Sequence, residues 1–178
     1  MLVSEHDLCM HCRSERPPWS MARTLWWYQG VSAALIKAAK FDGDRRVAVF
    51  CAEALSPFLE ALVRQAELSK PVICSVPANP RNRWRRGFDL VSDIARRLPF
   101  PNQELLARKK GKTQKELDRK GRLTNLAGNI FIRNGSVVPE EVVLVDDVMT
   151  TGASFAACTK VLLDGGAKHV SCIALCRD

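Results

Sequence analysis

No hydrophobic run in this 178-residue chain approaches the ~20 residues that a transmembrane helix requires. The N-terminus lacks the charged, apolar and small-residue order of a signal peptide. Internal repeats and low-complexity linkers are missing too. These absences exclude membrane insertion and predict a cytoplasmic protein. A disulfide framework is also lacking. Of seven cysteines, Cys74, Cys158, Cys172 and Cys176 sit singly inside apolar stretches and read as small buried residues. Acidic residues are the minority, 19 against 27 Lys and Arg, for a net charge of +8. The imbalance is local: Arg81 to Arg122 holds 14 basic and 5 acidic residues, and the remainder 13 and 14. A positive field confined to one segment points to an anionic ligand, for which pyrophosphate, a nucleotide and a nucleic-acid backbone all qualify.

The length suits one α/β domain with a sizeable core and room for a small N-terminal appendage. The most informative stretch is Val142-Val143-Leu144-Val145-Asp146-Asp147-Val148-Met149-Thr150-Thr151-Gly152-Ala153-Ser154. Apolar residues run into two carboxylates, then a small hydroxyl-rich turn, then a helical pattern. That order describes a buried parallel strand delivering a polar loop to its carboxyl end, where open α/β sheets place ligands. Asp146 and Asp147 can accept hydrogen bonds from paired hydroxyls such as those of a ribose. Thr150 to Ser154 offers hydroxyls and backbone N–H groups at a helix start, which suits a phosphate dianion. An ordinary capped helix start also favours Asp, Thr and Ser. A diol site beside a phosphate cradle implies a phosphorylated ribose.

Around this motif the patterns predict a short aromatic strand over Leu25–Tyr28. A helix over Val31–Phe41 would have Val31, Leu35 and Ala38 on its apolar stripe and end at Gly43. Asp44 is placed to cap a helix to about Leu68, which Pro57 should kink or break. Pro71–Val76 reads as a buried strand and Gly87–Leu98 as helical, with a short apolar piece at Leu105-Leu106. Thr113–Arg122 reads as a helix with a capping box of Thr113 and Glu116. Asn129–Ile132 and Val170–Leu175 read as strands, and Ala153–Leu163 as a helix closed by Gly165-Gly166. Strand, helix and strand at the end form a βαβ unit of a parallel sheet. Between Ser75 and Asp89 a loop carries Arg81, Arg83, Arg85 and Arg86. Guanidinium groups bind diphosphate oxygens in bidentate fashion, so Arg83, Arg85 and Arg86 are candidates for a pyrophosphate or other acidic ligand, against the alternative of a solvated basic turn.

The Val142–Ser154 stretch resembles the phosphoribosyl-diphosphate (PRPP) signature of type I phosphoribosyltransferases. The resemblance implies a parallel-sheet α/β fold in which Asp146 and Asp147 hold the ribose hydroxyls. It makes Thr150, Thr151, Gly152, Ala153 and Ser154 the 5′-phosphate loop, with Mg²⁺ carried on the substrate. Over nearly the whole chain the sequence is similar to the ComF/GntX family of phosphoribosyltransferase-like proteins. The matching pieces are Tyr28-Gln29-Gly30, Lys40-Phe41-Asp42-Gly43-Asp44, Val76-Pro77, Arg85-Arg86-Gly87-Phe88, Thr113-Gln114, Arg119, Arg122 with Asn125, Gly128, Phe131 and the signature itself. Phosphoribosyl transfer passes through oxocarbenium-like charge and needs water excluded. A cationic flap does both, so Arg119 and Arg122 are the candidate catalytic residues, although an exposed helix can look the same. The family is associated with natural competence and the uptake of single-stranded DNA.

Two departures qualify the match. The family opens with a zinc module of two cysteine pairs, whereas this chain has only Cys9-Met10-His11-Cys12. Structural zinc takes four ligands, so Cys9 and Cys12 with His6 and His11 are a strained Zn²⁺ site. Residues 1–24 are therefore expected to be a remnant of the module or the product of a mis-set start, and 25–178 the phosphoribosyltransferase-like domain. Trp19, Trp26 and Trp27 read as core or interface aromatics ahead of a base-stacking platform. Second, Thr150 stands where 6-oxopurine salvage enzymes carry a general-base Asp, which disfavours that chemistry, and the end at Asp178 leaves little chain for a hood over a nucleobase. The leading expectation is a PRPP-binding protein whose catalysis would be Mg²⁺-dependent displacement of pyrophosphate by an acceptor the sequence does not name. The alternative is a non-catalytic accessory of DNA uptake holding single-stranded DNA through residues 81–122, with Trp84 and Phe88 interleaved for stacking. A transcription regulator has no helix-turn-helix segment to support it. An oligomer is compatible with the sequence.

Overall fold

The computed structural model describes residues 16–78, 88–109 and 129–178. Its centre is a four-stranded, all-parallel sheet in the order β1-β6-β5-β2. The strands are β1 (Met21–Trp27), β2 (Val72–Ser75), β5 (Glu141–Met149) and β6 (His169–Arg177). Asn102 adds a parallel bridge to Ile73 at the open edge of β2. Between β2 and β5 in the chain, β3 (Leu106–Arg108) and β4 (Ile130–Ile132) pair antiparallel as a separate two-stranded arm.

Both faces of the sheet are covered, which is why its strands read as continuous apolar runs instead of alternating ones. On β5, Val143 and Val145 face one cluster with Ile36, Cys51, Leu55, Leu59, Leu62 and Ile94. Their neighbours Val142 and Leu144 face the other, with Phe155, Cys158, Leu162, Leu106 and Ile130. The first face is covered by α1 (Gly30–Lys37), α2 (Arg46–Gln65) and α3 (Leu90–Ala95), and the second by α4 (Ala153–Asp164) and the β3–β4 arm. All five described cysteines are free and buried, and burial pushes the Cys51 and Cys74 thiols up to about 11.

Several local expectations shift. β1 begins at Met21, not Leu25, so the sheet already includes residues 21–24. The first helix buries Ala33 and Ile36, and Val31 is 77% exposed, so the stripe of Val31, Leu35 and Ala38 is rotated. The helix then widens into a π turn over Ala38–Asp42, closed by Gly43 at φ 73°. A π turn inserts a residue and shifts every later side chain around the axis, which the 3.6-residue spacing cannot anticipate. α2 starts at Arg46, with Asp44 Oδ1 accepting from the Arg46 N–H at 3.0 Å, and runs unbroken through Pro57. Leu55, Leu59 and Leu62 pack against the sheet on both sides of the proline and hold the helix together. α3 is shorter than the sequence pattern, six residues capped by Asp89 Oδ1 accepting from Ser92 N–H at 3.3 Å. β5 is longer than expected, continuing through both acids to Met149. The predicted helix over Thr113–Arg122 lies outside the described residues.

Of the aromatics near the N-terminus, Trp19 meets Phe155 edge-on at 6.3 Å and Trp26 stacks on Phe50 at 6.2 Å, whereas Trp27 is 65% exposed. Among the described residues no helix is long and apolar enough to cross a membrane.

Candidate phosphoribosyl-binding site

The site is built at the carboxyl end of β5. Successive strand residues point to opposite faces, so Asp147 follows Val143 and Val145 towards the helical face and Asp146 follows Val142 and Leu144 towards α4. Each acid consequently meets a different cation. Lys40, from the π turn after α1, pairs with Asp147 Oδ2 at 2.6 Å, with side chains only 22% and 15% exposed. Arg108, at the end of β3, lies within electrostatic range of Asp146 and of Cys158 on α4. Burial lowers the Arg108 guanidinium, and the two neighbours counter that. Asp146 Oδ1 accepts the Asp147 backbone N–H at 2.8 Å.

Burial pushes the Asp146 carboxyl well above its ordinary value, and the charges of Asp147 and Asp89 add to the rise. The Asp147 amide and Lys40 pull in the opposite direction without cancelling it. The two acids are thus chemically distinct: one leans towards the neutral form, and the other is ion-paired.

Immediately beyond lies the predicted phosphate turn. Thr150 and Thr151 are exposed, Gly152 is buried, and Ala153 and Ser154 begin α4 half-buried. Thr151 Oγ1 accepts from the Ala153 N–H at 3.3 Å. Gly152 sits at φ 74°, and a Cβ there would stand 2.8 Å from the Trp19 ring and 3.2 Å from Met149 Cε. Glycine is therefore required twice over, by conformation and by space. Its buried carbonyl starts the helix by accepting from Ala156 N–H at 2.8 Å. Signature residues 146, 147 and 150–154 thus converge on one strand end.

Beside the acids, the carboxyl end of β2 opens into a polar cleft lined by Ser75, Asp89, Ser92, Arg108 and Arg133. The Ser75 and Ser92 hydroxyls meet at 3.2 Å. Arg133 is bound to Glu104 at 2.8 Å, which also holds Arg96 at 2.7 Å and so ties the arm to α3. Lys109 N–H donates to Asn129 O at 2.8 Å, which brings together the two ends of the segment carrying Arg119 and Arg122. Arg83, Arg85, Arg86, Arg119, Arg122, Cys9 and Cys12 themselves lie outside the described residues.

Three site residues escaped the sequence reading. Lys40 showed as a charge outside the apolar stripe and as the start of the family-matching piece Lys40–Asp44, without a role assigned to it. Asp89 showed as an acid after the arginine-rich loop, and Arg108 as one member of a basic run. Their roles depend on contacts with β5, which no local spacing encodes.

A parallel sheet ending in an acid pair and a glycine turn is the layout of a phosphoribosyltransferase domain, and the phosphoribosyl transferase domain family matches residues 84–178. The chain is 31% identical over 156 residues to competence protein ComFC of Streptococcus pneumoniae, covering 87% of this chain and 67% of that protein. It is 33% identical over 183 aligned positions to the DNA utilization protein YhgH of Escherichia coli O157:H7, covering 97% and 78%. Among solved structures, a Staphylococcus aureus hypoxanthine phosphoribosyltransferase aligns with a TM-score of 0.44 and 14% identity over 72% of this chain and 64% of that one. The chain belongs to the ComF family of phosphoribosyltransferase-domain proteins.

Proposed function

We propose that this protein binds PRPP at the end of β5 and transfers its phosphoribosyl group to an acceptor with release of pyrophosphate. The observation that supports this most directly is the hydrogen-bonding state of the acid pair. One oxygen of each carboxylate is already engaged, Asp146 Oδ1 by an amide and Asp147 Oδ2 by Lys40. One oxygen on each is left for the two hydroxyls of a ribose, which can both accept and donate hydrogen bonds and so suit either protonation state of Asp146. The turn at Thr150–Ser154 follows in the chain and offers hydroxyls and backbone N–H groups suited to the sugar's phosphate. In the transfer, the bond from C1 to the pyrophosphate oxygen breaks with its electrons leaving on pyrophosphate. The acceptor's lone pair forms the new bond at C1 and the acceptor gives up a proton. Mg²⁺, a hard cation that takes oxygen ligands, would be brought in on the diphosphate oxygens of the substrate. Bound there, it would neutralise charge on the leaving group. Arg83, Arg85 and Arg86 in the loop after β2, and Arg119 and Arg122 between β3 and β4, are the assigned diphosphate and flap residues.

The names of the relatives connect them to competence and DNA utilization, and we assign this chain to the same setting of DNA uptake. Titration calorimetry with PRPP and Mg²⁺, on the wild type and on Asp146→Ala/Asp147→Ala, tests the reading. Binding that disappears in the double variant, with the melting transition retained, supports it. Equal affinity in the two proteins, or none in the wild type, refutes it. In the latter case the 14 basic residues between Arg81 and Arg122 favour single-stranded DNA instead. Affinity for DNA should then fall with salt at a log–log slope of roughly −0.7 per phosphate contacted.

A further inference from the structure

The ion pair between Lys40 and Asp147 has no place in a reading confined to the signature. It joins the turn after α1 to the end of β5, and it is short and largely shielded from water. Two features indicate that the fold is arranged to make it. The chain abandons α-helical geometry at Ala38–Asp42, where the π turn places Ala39 in the core and Lys40 beside it at the site. π turns of this kind recur at functional sites because they redirect one side chain at the expense of regular hydrogen bonding. The turn is closed by Gly43 at φ 73°, with open space where a Cβ would be, so the glycine serves backbone conformation alone.

We infer that Lys40 is a positioning residue for sugar recognition: it anchors Asp147 Oδ2 so that the opposite oxygen faces a ribose hydroxyl. The inference rests on the PRPP reading above. The groups around the pair explain why an anchor is needed. Asp146 lies on the same strand end, with Asp89 before α3 adding its charge beside Asp146, and Cys176 on β6 lies near both partners. Without Lys40, Asp147 would sit beside Asp146 with no cation paired to it among the described residues, free to rotate away. Asp146 needs no such anchor, because the Asp147 amide already holds one of its oxygens.

The test uses two probes that share anionic character and differ in the sugar, ribose 5-phosphate and inorganic pyrophosphate with Mg²⁺. Each is titrated into the wild type, Lys40→Met and Lys40→Arg. Lys40→Met should weaken ribose 5-phosphate on the order of tenfold or more, because it leaves a shielded carboxylate unpaired. Pyrophosphate affinity should stay within about twofold, since that ligand has no hydroxyls for Asp147 to hold. Lys40→Arg should recover most of the sugar-phosphate affinity. Asp147→Asn, which keeps the side-chain shape, should reproduce the selective loss should Lys40→Met fold poorly. Unchanged ribose 5-phosphate binding in Lys40→Met overturns the inference. So does equal loss of both ligands, which would make Lys40 an anion contact or a purely structural residue. A wild type that binds pyrophosphate but no ribose 5-phosphate overturns the PRPP reading and this inference with it.

Discussion

Gly152→Ala and Gly43→Ala together separate two reasons for needing glycine. The two residues have nearly the same backbone conformation, φ 74° and 73°. Placing alanine in that left-handed region costs about 1–2 kcal/mol. At Gly43 nothing lies within 4 Å of the new methyl, so this is the whole effect. At Gly152 the methyl would also meet the Trp19 ring at 2.8 Å and Met149 Cε at 3.2 Å. Trp19 cannot simply withdraw, because its ring rests edge-on against the buried Phe155. Overpacking of this kind costs a further ~1–3 kcal/mol. For a chain of this size each kcal/mol lowers the melting temperature by roughly 2–4 °C. Gly43→Ala should therefore melt about 2–8 °C below the wild type, and Gly152→Ala about 4–20 °C below it. Thermal denaturation followed by circular dichroism measures both. Equal shifts for the two variants would show that Trp19 does not confine the phosphate turn, and a wild-type melting curve for Gly152→Ala would refute the backbone argument as well.

Other consequences concern the acid pair and the second helix. An unfolded Asp titrates near 3.8, whereas native Asp146 keeps its proton to higher pH. Between those values the folded state holds a proton that the unfolded chain has lost, so this residue's contribution to stability declines as pH rises through that window and is level above it. Asp146→Asn should accordingly melt a few degrees above the wild type at about pH 8, with the gain shrinking towards zero near about pH 4; a pH-independent difference would show that charge at Asp146 is not its source. Pro57 has no N–H to donate inside α2, whose buried face nevertheless holds the helix together. Pro57→Ala should raise stability by about 1–3 kcal/mol in urea denaturation, and a loss would mean that the proline sets a bend the packing requires.

Much of the site was legible because its components are adjacent in the chain. The run from Val142 to Ser154 contains the strand, both acids and the turn, and each is identified by residue type and order. The helix after β1 was harder. Its apolar positions support more than one stripe, and the π turn at Ala38–Asp42 answers to the ion pair with Asp147, not to any local preference. Strand ends were misplaced for a similar reason. β1 begins at Met21 because Met21 pairs with Ser171, and β5 continues to Met149 because Met149 pairs with Arg177.

The sequence by itself determined that this chain forms a parallel α/β sheet, that two carboxylates stand at the end of a buried strand, and that a glycine turn suited to phosphate follows them. Those are properties of residues a few positions apart, where hydrophobic patterning and turn chemistry act. Only the tertiary structure decided that the acids part to opposite faces of β5, that Lys40 takes one and Arg108 approaches the other, and that Trp19 closes over Gly152. These contacts join segments far apart in the chain. Their energies come from burial and charge pairing between surfaces that exist only once the sheet has assembled.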